Sequence, residues 1–185
     1  WFTSPENLQV VKASIPEVTD LNKIILKDNE IGIPVEFERT STRTGGKIDL
    51  LVRESNFASF DVSEIDLSQQ NKQTVILRIQ RNAVNPLAYN DVQVSFVGAA
   101  GNPLNFKFAL EPVARLSLIN GGTDTTYTAK STTAALQVNA EFIQGVIDQP
   151  VTIDVSGDLN AAVSIGTGHL TSSADKRFVT IDFVD

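Results

Sequence analysis

The sequence predicts an all-β protein, either two immunoglobulin-like β-sandwich domains in tandem or one larger jelly-roll-type β-sandwich. Three observations carry that expectation. Apolar residues recur at every second position in segment after segment, and Gly, Asn, Asp and Pro punctuate those segments at short intervals. No apolar run approaches the roughly 18 residues of a membrane span, and no repeat of roughly 20–50 residues competes with the alternation. The 185 residues suffice for one large domain or two small ones, at about 150 residues per domain.

Taken in order, Leu8, Val10 and Lys12 alternate with Gln9, Val11 and Ala13, a stretch apolar enough on both sides to lie between packed layers. After Pro16, the residues Val18, Leu21 and Ile25 also fit one face of a short helix. Ile31, Ile33, Val35 and Phe37 then alternate with Gly32, Pro34, Glu36 and Glu38, which makes one face core and the other wet. Pro34 has no N–H to give to a ladder, so its strand is expected at an edge or with the ladder-free side outward. Thr44-Gly45-Gly46 reads as a hairpin turn into Ile48, Leu50 and Val52. A weaker strand falls near Phe57–Val62, followed by Val75, Leu77 and Ile79 and, past the turn-rich Asn85-Pro86, by Val92, Val94 and Phe96. Leu104, Phe106, Phe108 and Leu110 form the cleanest alternation in the chain.

The best boundary is Glu111-Pro112-Val113, where Pro follows that strand and a new alternation begins. It separates a sandwich with an N-terminal extension, residues 1–112, from a smaller and incomplete one, residues 113–185. The second part carries Ala114, Leu116 and Leu118; Thr125–Lys130; Leu136, Val138, Ala140 and Phe142; Val151, Ile153 and Val155; Ala161, Val163 and Ile165; and Val179, Ile181 and Phe183. Thr133–Ile147 also fits a helix.

Composition narrows the chemistry. Lys and Arg number 15 against 22 Asp and Glu, a net charge of -7, so the field of the molecule repels phosphate backbones and nucleic acid is not an expected partner. With no Cys and one His, Cys nucleophiles, zinc fingers, iron–sulfur sites and multi-His centres are ruled out, and no cofactor is expected. The single His169 lies in the turn-like Gly166-Thr167-Gly168-His169-Leu170, and the chain has no Gly-x-Ser-x-Gly elbow. Glu36 and Glu38 share a strand face, with Asp61, Glu64 and Asp66 nearby, which is formally a carboxylate set for glycoside hydrolysis; carboxylates on a wet strand face read as solubilising. Asp28-Asn29-Glu30 and Asp154–Asp158 are the candidate calcium loops, and neither has the spacing of a dedicated site. Gly45-Gly46 and Gly121-Gly122 precede strands, so they are turns and not phosphate cradles. Catalytic and metal-ligating residues are therefore expected to be absent.

Trp1, Tyr89 and Tyr127 are the candidate stacking platforms for a sugar ring. Trp1-Phe2 opens a chain that has no Met, which fits a processed N-terminus or a fragment boundary, and no Asn lies in a glycosylation sequon. An apolar Trp-Phe segment is expected to dock, since burying each ring contributes roughly 2–3 kcal/mol. It either packs within its own sandwich or is donated to an open sheet edge of a neighbour, with Trp1, Phe2, Leu8, Val10, Val11, Ala13 and Ile15 as the partner strand. Together these features predict a non-enzymatic, extracellular or cell-surface structural or adhesive protein, such as a filament subunit self-assembling by strand addition. A viral capsid or tail protein and a carbohydrate-binding module are the alternatives.

Overall fold

The computed structural model describes residues 8–53, 56–118, 136–146, 148–149, 171–172 and 178–183. The protein is all-β, and among the described residues the only helical turn is a 3-10 turn at Arg81–Ala83. The chain divides into two compact units, Trp1–Glu111 and Pro112–Asp185.

The first unit contains β1 (Gln9–Ser14), β2 (Ile24–Leu26), β3 (Gly32–Arg39), β4 (Lys47–Arg53), β5 (Ala58–Phe60), β6 (Glu64–Asp66), β7 (Lys72–Ile79), β8 (Asn90–Val97), β9 (Ala99–Ala100) and β10 (Leu104–Leu110). They form two five-stranded sheets, ordered β5-β7-β3-β1-β9 and β2-β10-β8-β4-β6. Neighbours are antiparallel except β1 with β9 and β10 with β2. The inward slots of the first sheet bury Val11, Ile33, Val35, Phe37, Val75 and Leu77, and those of the second bury Ile48, Leu50, Val92, Val94, Phe106 and Phe108, all in one cluster. Ring contacts cross between the sheets, with the Phe37 and Phe96 centroids 6.2 Å apart in an edge-to-face pair. Period-two patterning thus does its physical work here: each strand turns one apolar row toward the other sheet.

In the second unit, β11 (Val113–Leu118), β12 (Leu136–Gln144), β13 (Thr171–Ser172) and β14 (Phe178–Phe183) form an antiparallel sheet ordered β11-β12-β14-β13. At the end of β12, Gly145 takes a left-handed backbone (φ 89), and a Cβ there would meet the Pro112 Cα at 2.5 Å. The Gln149 side chain accepts from the Val146 N–H and fastens the turn that follows.

Four expectations need correction or refinement. Thr44-Gly45-Gly46 is no hairpin turn, because β3 and β4 lie in different sheets and the segment is a crossover between them. The helix option over Val18–Ile25 fails: the Asp20 carboxylate accepts from the Asn22 N–H at 2.9 Å to make a turn, and the Leu21 carbonyl accepts from the Lys107 N–H of β10 at 2.7 Å. The helix option over Thr133–Ile147 fails across its described part, Leu136–Gln144, since β12 is paired on both flanks, by β11 and β14. Pro34 sits in an interior strand, opposite Ile76 of β7, at a level beyond Ser14 where β1 has ended. Its missing N–H therefore deprives no described ladder partner.

Candidate functional site

Leu8 is half-buried, and from Gln9 to Ser14 the proposed partner strand occupies a place in its own sheet, between β3 and β9. Val11 and Ile15 are buried in the core, Ala13 packs against it, and Val10 faces solvent. Donation of this segment to a neighbour requires that ladder to open. Trp1 and Phe2 lie outside the described residues, as do Tyr127, His169, Asp154–Asp158, Gly121-Gly122 and the strands expected at Thr125–Lys130, Val151–Val155 and Ala161–Ile165.

Two buried amides that sequence reasoning passed over hold the loops around this core. Gln9 is 1% exposed; its Nε2 donates to the Gly46 carbonyl at 2.9 Å and its Oε1 accepts from the Gly45 N–H at 3.3 Å. Gly45 is needed for this fit, because a Cβ there would lie 2.6 Å from the Gln9 side chain. Asn90 is 7% exposed; its Oδ1 accepts from the Asn85 N–H at 2.9 Å, and its Nδ2 donates to the Asn85 and Ala88 carbonyls, each at 3.1 Å. This arrangement fixes the loop that carries the half-buried Tyr89.

The carboxylates that looked chemically interesting are individually engaged. The Lys72 ammonium of β7 lies 3.1 Å from Glu36 and 3.6 Å from Glu38, and the hydrogen bond and charge of Glu36, joined by the charge of Glu38, raise the Lys72 pKa above its ordinary 10.5. Glu64 pairs with Lys47, which raises the Lys47 pKa in the same sense. Asp61 lies 4.0 Å from Arg78. Hydrogen bonds from the Ser68 hydroxyl and N–H hold Asp66 below its ordinary 3.8. A glycosidase needs one carboxyl kept protonated beside one ionised; here Glu36, Glu38, Asp61 and Glu64 each lie against a Lys or Arg.

The same holds at Asp28-Asn29-Glu30. The Arg81 guanidinium reaches the Asp28 carboxylate at 3.4 Å and donates to the Glu30 carbonyl at 3.1 Å and to the Lys27 carbonyl. Oxygens that would have to converge on calcium thus face a cation of the protein itself. Among the described residues no group of three or more His, Asp or Glu is placed to hold a metal.

Surface depressions are open. One of about 210 Å³ on the outer face of the second sheet is lined by Arg53, Asp91, Gln93, Asn105 and Lys107. Its polar groups pair among themselves: Gln93 donates to Asn105 at 2.8 Å, and Lys107 lies 3.2 Å from Asp91. The ring at its floor, Phe106, is only 2% exposed and offers no platform. A groove of about 610 Å³ runs between β1 and the start of β10, past Val11, Ala13, Leu21, Gly101 and Leu104. A third, of about 320 Å³, separates β4 from Ala58–Ser63. No helix among the described residues is long and apolar enough to cross a membrane.

No protein-family model matches the chain, and no curated protein matches it either.

Proposed function

We propose that the chain is a non-enzymatic, extracellular structural or adhesive protein that self-associates at a cell surface. The observation that carries the reading is the disposition of polar groups in the first unit: the buried amides Gln9 and Asn90 brace loops, and Asp28, Glu36, Glu38, Asp61 and Glu64 lie against Lys47, Lys72, Arg78 and Arg81. That disposition fits a scaffold, in which polar groups serve packing and pairing.

The strand order supports an immunoglobulin-like reading of the first unit. Taking β1, β3, β4, β5, β7, β8 and β10 as strands A to G, one sheet reads D-E-B-A and the other G-F-C, which is the immunoglobulin arrangement with β2, β6 and β9 added. Sandwiches of this kind serve as modules whose faces and loops meet partners. Since β1 already has neighbours on both flanks, association between preformed surfaces is favoured over donation of Leu8–Ile15.

Light scattering and negative-stain imaging of the natively purified chain test this. Self-associated species, from dimers to fibres, are the expected result. Closed shells would replace the reading with that of a capsid protein, and 20 kDa monomers that bind glycans would overturn it.

A further inference from the structure

Large aliphatic side chains that remain exposed are few among the described residues: Val10, Ile31, Leu51, Val62, Val97 and Ile143. Three of them meet on one sheet face. Along β4 the buried Ile48 and Leu50 point inward, so Lys47, Asp49, Leu51 and Arg53 point outward. The register with β8 sets Leu51 beside Ser95 and Asp49 beside Val97. On the other flank Asp49 lies opposite Glu64, and the Leu50 N–H donates to the Ser63 carbonyl at 2.8 Å, which brings Val62 level with Leu51. Cross-strand and diagonal neighbours on one face are roughly 5–8 Å apart, so Val62, Leu51 and Val97 form a contiguous patch, exposed by 42%, 40% and 55%. In its midst the Ser95 hydroxyl is buried with no hydrogen-bond partner among the described residues.

The charges around this patch are arranged antisymmetrically. Asp49, beside the Lys47–Glu64 ion pair, precedes Leu51 by two residues, and Arg53 follows by two, each roughly 7 Å away along the strand. If a second copy lies face to face on this surface with its β4 antiparallel, Leu51 meets Leu51, Asp49 meets the partner's Arg53, and Arg53 meets the partner's Asp49. A parallel alignment would set Asp49 on Asp49 and Arg53 on Arg53, which like-charge repulsion disfavours. The patch is thus complementary to itself about a two-fold axis perpendicular to the strands, the requirement of an isologous interface, with an apolar centre and a charged rim.

We infer that the outer face of β4 and β8, centred on Leu51, is a two-fold self-association surface whose occupant is a second copy of this chain. The inference deepens the self-association reading and rests on it.

Sedimentation equilibrium on the full chain and on Leu51→Asp, Asp49→Arg, Arg53→Asp and the double reversal Asp49→Arg/Arg53→Asp provides the test. All three positions are outward-facing, and circular dichroism checks that each variant folds. Leu51→Asp and each single reversal are expected to weaken association about tenfold or more, while the double reversal, which recreates the pairs with their signs exchanged, returns to within about threefold of the unaltered chain. A double reversal no better than the single ones overturns the inference. Association that persists unchanged in every variant overturns it too while leaving self-association standing through another surface; a chain that stays monomeric throughout removes both.

Discussion

Gln9 and Asn90 occupy inward slots in phase with Val11 and Val92, yet both are amides; Glu36 and Glu38 stand on the opposite, wet face of the same sandwich and are carboxylates. The buried amides together make five hydrogen bonds to loop backbone, whereas the carboxylates meet one exposed ammonium. Burial decides what a polar group is worth: inside, an unpaired amide forfeits its hydration, and outside, water and salt screen the pair. In this protein the side chains that resemble a reaction centre are therefore expected to contribute least to stability, and those that look like interruptions of the apolar pattern to contribute most among the polar ones.

The apolar inner rows set the upper end of this scale. Phe108 is fully buried and its ring packs edge-to-face on Phe57 at 5.9 Å, so Phe108→Ala is expected to lower unfolding free energy by about 3–5 kcal/mol in chemical denaturation. Next come the amides: Gln9→Ala and Asn90→Ala should each lower it by about 1–3 kcal/mol, because loop N–H and C=O groups lose their partners. A loss for either below the error of the measurement would erase the distinction between the two faces. At the lower end, Lys72→Ala should leave the denaturation midpoint at pH 7 unchanged within error, as expected for an exposed pair.

The pH dependence sharpens the same contrast. Lys47 and Lys72 have raised pKa values, so their contribution is fully present below 10.5 and is lost as pH rises through the folded-state value. Asp66 has a lowered one, so its contribution is present above 3.8 and is lost as pH falls through the folded-state value. Thermal midpoints of the unaltered chain and of Lys72→Ala should therefore coincide within error from about pH 5 to 9, and any small offset that Lys72 does produce should vanish above 10.5.

Much of the first unit could be read from its pattern. The rows Ile33-Val35-Phe37, Val92-Val94 and Leu104-Phe106-Phe108 face the core as alternation requires. Which strands share a sheet was less legible, because a turn sequence such as Thr44-Gly45-Gly46 reverses or crosses the chain equally well, and only the β1 and β7 ladders show that β3 is already flanked. β2 and β6 were missed because three residues are too few for a period to register. The amides could have been noticed: each is a polar residue in an apolar phase, next to a Gly- or Pro-bearing loop in space or in sequence. Leu51 offered the converse signal, an apolar residue out of phase in Ile48-Leu50-Val52.

The central claim is that β1 completes its own sheet, so that the proposed self-association would use finished surfaces. Lys12 and Glu38 are Cα partners on β1 and β3, a separation of about 5.5 Å that suits a disulfide, and the chain has no Cys of its own. Oxidation of a Lys12→Cys/Glu38→Cys chain in its assembled form, followed by denaturation without reductant, should yield a 20 kDa species with no free thiol. A ladder of covalent dimers and higher multimers would show that the strand is exchanged between copies and would contradict the account.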